Sequence, residues 1–148
     1  MTVTAPPADS RVIALAHFAA RAVLEHVLAR HGATYPQQIT LRTALTADGP
    51  LDADALVARV ASTLRADPES VRATVGELLT KGLLTDEGPH IGPTAAGREL
   101  FATVGAETAP VSARIYAGIP AEDLAVAGRV LAHVTERANA ELAALNAR

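Results

Sequence analysis

Apolar residues recur along this chain three, four and seven positions apart, the rhythm of helices that each bury one face. Val12, Ile13, Ala16, Ala19, Ala20, Val23, Leu24, Val27 and Leu28 share the side of one long helix, capped by Asp9 or Ser10 and running to about Arg30. Gly32 ends it, and Thr34 caps a second helix over roughly 36–46. After the turn Ala47-Asp48-Gly49-Pro50, the spacing of Leu51, Ala55, Leu56 and Val60 predicts a third helix. Asp67 caps a fourth, with Pro68 in the first position, where a missing N–H removes no helical bond. Val71, Val75, Leu78 and Leu79 form its buried stripe, and Gly82 stops it. Two short strands are predicted at 83–85 and 90–92 around the turn Asp86-Glu87-Gly88-Pro89. Thr94 opens a helix through Phe101 and Val104, and Gly105 and Pro110 predict a bend or break before 111–116. The last helix follows Pro120. Its Leu124, Leu131, Ala138 and Leu145 lie seven apart, with Ala127 and Val134 between them, the seam of a helix packed lengthwise on others.

A helix, a tight turn and a second helix can present one exposed helix face to a DNA groove. Leu78, Lys81, Gly82 and Leu83, then Thr94, Gly97 and Arg98, resemble the recognition-helix ending and the Leu-Thr-x-x-Gly-Arg segment of MarR-family winged helix-turn-helix regulators, with Pro93 in place of the leucine. Gly32-Ala33-Thr34-Tyr35-Pro36-Gln37-Gln38 followed by Leu41 resembles that family's entry to its second helix. Tyr116-Ala117-Gly118-Ile119-Pro120 with Asp123-Leu124 is similar to its final turn. The resemblance implies a mainly α fold with a small β wing: a winged helix-turn-helix with long N- and C-terminal dimerisation helices. Residues 1–8 are then a disordered tail and 9–148 a single domain. Within it, 36–98 form the winged lobe, while 9–31 and 99–148 supply the helices that interlock two chains.

Composition narrows the picture. With 49% apolar residues in 148, the chain can bury a core, and with 3% aromatics and no Trp that core is built from Ala, Leu and Val. Absence of cysteine removes disulfides, thiolate metal sites and thiol redox sensing. The start carries no signal-peptide pattern, and no stretch reads as apolar for long enough to span a bilayer, so a cytoplasmic protein without a membrane partner is expected.

Net charge is −3, and from Thr40 to Arg98 six basic side chains face eight acidic ones, an unfavourable balance for a surface that neutralises phosphates. The residues expected to meet double-stranded DNA are Arg42, Arg65, Ser70, Arg72, Thr74, Lys81 and His90. Ser70 and Thr74 offer hydroxyls, and Arg72 suits a guanine edge or a phosphate. On its solvated side Arg72 can instead pair with Glu69. Ala73 and Glu77 stand where the family usually carries basic residues, and the wing tip holds no arginine, leaving His90 as its only cation. The resemblance implies a ligand-responsive repressor bound to a palindromic operator. Its alternative is the same fold without operator binding, serving as a small-molecule binder or, failing that, an enzyme.

For an effector, the resemblance implies an aromatic or phenolic acid in a crevice between dimer helices and winged lobe. His17 and Arg21, one turn apart, and Tyr35 and Tyr116, near the junctions, are the candidate contacts; equally they are surface or dimer-contact residues. His133 with Glu136, and Glu25 with His26, lack dedicated zinc spacing. No phosphate loop, dinucleotide fingerprint or Gly-x-Ser-x-Gly occurs. The expectation is therefore no enzyme, no catalytic residues, no metal and no cofactor.

Overall fold

A computed structural model describes residues 4–148. Its order is α1 (Ser10–Arg30), α2 (Tyr35–Thr46), β1 (Leu51–Asp52), α3 (Ala53–Leu64), α4 (Pro68–Thr80), β2 (Leu84–Glu87), β3 (His90–Pro93), α5 (Ala95–Tyr116) and α6 (Ala121–Asn146). It divides into two compact units, the first ending at Pro110 and the second running from Val111 to Arg148. The expected tail falls partly outside the described residues; from Thr4 to Asp9 the chain carries no regular structure.

Local chemistry explains most helix ends in the first unit. The Asp9 carboxylate accepts from Val12 N at 2.9 Å, and the Thr34 hydroxyl and the Gln37 amide exchange bonds with each other's backbone N–H, a closed capping box. Asp67 accepts from Glu69 N at the start of α4. Gly82, at φ 71°, provides the left-handed residue past the end of α4, where any Cβ would be strained.

Helices α2, α3 and α4 enclose the main core, in which Leu41, Leu56, Val60 and Leu78 are almost wholly buried and Leu84 and Ile91 of the wing close one side. A smaller cluster of Val27, Leu28 and Val104 packs α1 against α5. The sheet runs β1-β3-β2, all antiparallel, with Leu51 opposite Ile91 and Glu87 opposite His90. Thr94 joins wing to α5: its hydroxyl donates to Gly82 O at 2.6 Å and accepts from Gly97 N at 3.0 Å.

The fold differs from the sequence pattern in three places. Leu51 belongs to a strand, not to the third helix, which Asp52 caps through Asp54 N. The predicted break near Gly105 and Pro110 is absent, and α5 continues with Pro110 inside it. Ala106, whose carbonyl loses its partner there, is exposed, so the unpaired oxygen lies where solvent reaches the helix. Finally, α1 is long and apolar enough to cross a membrane, with mean hydropathy 1.5, contrary to expectation. Alanines lift that value, as they do in helices that pack on protein. Arg21 and Glu25 pair on this helix at 3.1 Å, a polar contact that a hydrocarbon environment disfavours.

In the second unit, α6 has no buried residue in the single chain. Leu124, Val126, Val130, Leu131, Val134, Leu142 and Leu145 are all exposed. At 3.6 residues per turn they fall on an arc of roughly 160°. The first unit has a comparable feature: Leu15 and Phe18 of α1, outside the stripe read from the sequence, are 59% and 62% exposed.

Candidate functional site

Helix α4 follows α3 through a three-residue turn, Arg65 to Asp67. Arg65 caps α3 in the left-handed conformation (φ 53°, ψ 39°), alone among the described non-glycine residues in having positive φ. Such a conformation costs about 1 kcal/mol for a residue with a Cβ and is more often found where function holds it. Glu69, Ser70, Arg72, Ala73 and Thr80 are exposed along α4. The Ser70 hydroxyl bonds Asp67 O at 3.2 Å, and Arg72 lies 3.8 Å from Asp54 of α3, not on Glu69, with 58% of its side chain exposed. An ion pair so long and so wet holds the guanidinium only loosely. Arg42 is exposed on α2.

Two candidates for DNA contact, Thr74 and Lys81, sit elsewhere than expected, and a third, His90, is on the wing but beside acids. Thr74 is only 8% exposed and its hydroxyl donates to Ser70 O, so it faces the core. Lys81 donates to Gly32 O at 2.6 Å and to Gln37 Oε1 at 3.1 Å, which makes it a clasp on the α1–α2 turn. His90 stands in register between Asp52 on β1 and Glu87 on β2. Residues directly opposite across antiparallel strands share a face, so two carboxylates flank the wing's one cation. Glu77, the acid expected to repel phosphates, is exposed, but it accepts from Gln37 Nε2 at 2.6 Å and so is held on the α2 side.

A second cluster lies where α1 meets α2. The Arg21 guanidinium lies 4.2 Å from the Tyr35 ring centroid, a cation–π stack, and His17 meets the same ring edge-on at 6.5 Å. Arg21 is also held by Glu25 through Nε and Nη2, both at 3.1 Å. Three of the four residues expected to meet a ligand are thus neighbours. Tyr116 is in the second unit, 53% exposed. The pairing of Glu25 with Arg21 escaped the sequence reading, which weighed Glu25 only beside His26, although its place four residues after Arg21 was the available signal. So did Glu107, which binds both Arg30 (3.2 Å) and His31 (3.1 Å) and ties the end of α1 to α5. A separate cleft of about 150 Å³, lined by Ala44, Leu45, Pro50, Glu87, Pro93 and Arg98 among others, shares no residue with this cluster.

No protein-family model matches the sequence, and no curated protein does. Solved structures do. A MarR-family transcriptional regulator of Rhodococcus sp. RHA1 superposes with a TM-score of 0.70 at 20% identity, covering 83% of this chain and 89% of its own. The chain has the MarR-type fold. Also similar are a MarR-family protein of Mycobacterium tuberculosis in complex with DNA (TM-score 0.65, 21% identity, 86% and 98% covered) and CouR of Rhodococcus jostii RHA1 bound to p-coumaroyl-CoA (0.70, 20%, 83% and 88%). At these identities the likeness establishes the MarR-type architecture, a winged helix-turn-helix with long terminal helices.

Proposed function

We propose that this chain is a homodimeric, ligand-responsive transcription regulator of the MarR type, acting in the cytoplasm on a two-fold symmetric operator. The observation that carries the reading is the exposed face of α4. It presents Ser70, Arg72 and Ala73 to solvent, and Glu77, also exposed, has one carboxylate oxygen engaged by Gln37. Arg65 in the interhelical turn and Arg42 on α2 add exposed cations. Similar folds have been solved with DNA and with small molecules, p-coumaroyl-CoA and salicylate among them. The effector site of this chain is the Arg21–Tyr35 cluster. Tyr35 offers a ring to stack on, and a carboxylate reaches Arg21 when Glu25, 45% exposed, swings into water.

A mobility shift with the chain's own upstream region, at low and moderate salt, tests the reading; no sequence-preferring complex at low salt would overturn it. Arg72→Ala is expected to weaken the complex about tenfold, the loss of one phosphate or base contact, without moving the unfolding midpoint. Arg65→Gly should do two things at once. Relief of the left-handed strain raises stability by about 1 kcal/mol, while loss of the cation lowers operator affinity. Denaturant titration and the same shift assay read the two effects separately.

One feature of the wing favours a second reading, a MarR-fold ligand binder without operator affinity. Asp86 and Glu87 occupy its tip, and His90 lies between Glu87 and Asp52. Ligand binding with intact Arg72 and no DNA complex at low salt would decide for it.

A further inference from the structure

We propose that Gln37 couples the Arg21–Tyr35 cluster to helix α4, so that a push on the Tyr35 ring is felt in the recognition helix. Gln37 is 3% exposed, and both its amide nitrogen and its amide oxygen are engaged. Nε2 donates to Glu77 Oε2 at 2.6 Å, and Oε1 accepts from Lys81 Nζ at 3.1 Å and from Thr34 N at 3.2 Å. Lys81 reaches on to Gly32 O at 2.6 Å. One side chain therefore gathers the last turn of α4, the first turn of α2 and the turn that joins α2 to α1.

Tyr35 and Gln37 lie two positions apart, roughly 200° round the helix. Tyr35 carries Arg21 of α1, and Gln37 grips α4, so the first turn of α2 is a wedge between those two helices. A helical turn moves as a rigid body, whereas the apolar core yields by small shifts in many side chains. Displacing Tyr35 strains bonds that are short, directional and partly shielded from water, and a buried amide that loses its partners is left unsatisfied. Gln37 is here a positioning residue that touches no ligand. As the route by which an effector alters operator affinity, the coupling rests on the regulator reading; as a mechanical link between α1 and α4, it does not.

The test is amide hydrogen exchange on the full chain, with neither DNA nor effector present. Tyr35→Leu, with Arg21→Gln as a milder variant that leaves the buried side chains in place, is expected to speed exchange at the amides from Glu77 to Lys81 about fivefold. In a Gln37→Met background the same change should add nothing, since the link is already cut. Glu77→Leu should also remove the increment and Glu77→Gln, which keeps an acceptor oxygen, should retain it. A purely structural role for Gln37 would speed exchange in every background without abolishing the increment. An unchanged α4 in both Tyr35→Leu and Arg21→Gln, or an equal increment with Met at position 37, would overturn the proposal. Failure of the operator assay would remove the regulator reading and leave this measurement intact.

Discussion

Gly97→Ala is expected to destabilise the chain by about 3 kcal/mol, although alanine is the better helix former. A Cβ built on Gly97 would lie inside contact distance of the Leu83 carbonyl oxygen and 3.2 Å from Leu41 Cδ1. The carbonyl cannot turn aside. Leu83 N donates to Leu78 O at 2.9 Å and Leu83 O accepts from Thr94 N at 3.1 Å, so this backbone is fixed to the end of α4 on one side and the start of α5 on the other. The helix itself must move, and moving it breaks the Thr94 hydroxyl's bonds to Gly82 O and Gly97 N. Gly105→Ala is the internal control. It is also within α5, but nothing lies within 4 Å of its added Cβ, so the same exchange should stabilise by up to about 1 kcal/mol. Chemical denaturation of the two variants should give midpoints displaced in opposite directions.

Features written in neighbouring residues were legible in the sequence. Asp9, Thr34 and Asp67 cap the helices they precede, because a cap is chosen by chemistry within three residues. The buried positions Val71, Val75 and Leu78 follow from one period. What stayed hidden depends on distant partners. The two residues of β1 are a strand only because Leu51 meets Ile91, forty positions away. Pro110 signals a break by a local rule, but the residue whose carbonyl it frees is exposed, so the helix continues without burying an unpaired oxygen.

Helical phase showed which side of α4 avoids its own core stripe, but not that α2 lies against part of that side. Hence Thr74 and Lys81 stand among the expected DNA contacts, while Lys81 holds Gln37 and Thr74 is buried. The candidate effector cluster was half visible. His17 and Arg21 share a helix face by spacing and Tyr35 stands near a junction, whereas the contact of that α2 ring with both is beyond the reach of any local pattern.

Leu131→Asp combined with Val134→Asp is expected to halve the sedimenting mass, from about twice the 15.2 kDa chain to the chain itself. No residue of α6 is buried in the single chain, yet seven large apolar side chains cover one broad arc of it, a larger patch than soluble monomers usually leave to water. Val134 lies at the centre of that arc and Leu131 within it, one turn away along the helix, and they are 44% and 41% exposed. If a second copy covers them, each aspartate must be taken out of water without a partner, at a cost of several kcal/mol that no rearrangement of the remaining apolar contacts offsets. If water covers them, the substitution is harmless. Helix content should survive in either case, because the two side chains support nothing within their own chain, and circular dichroism would confirm that the variant remains folded. Glu136→Ala, on the polar side of α6, should leave the mass unchanged. A wild-type protein that sediments at the single-chain mass would remove the dimer and, with it, the paired recognition helices that a two-fold operator requires.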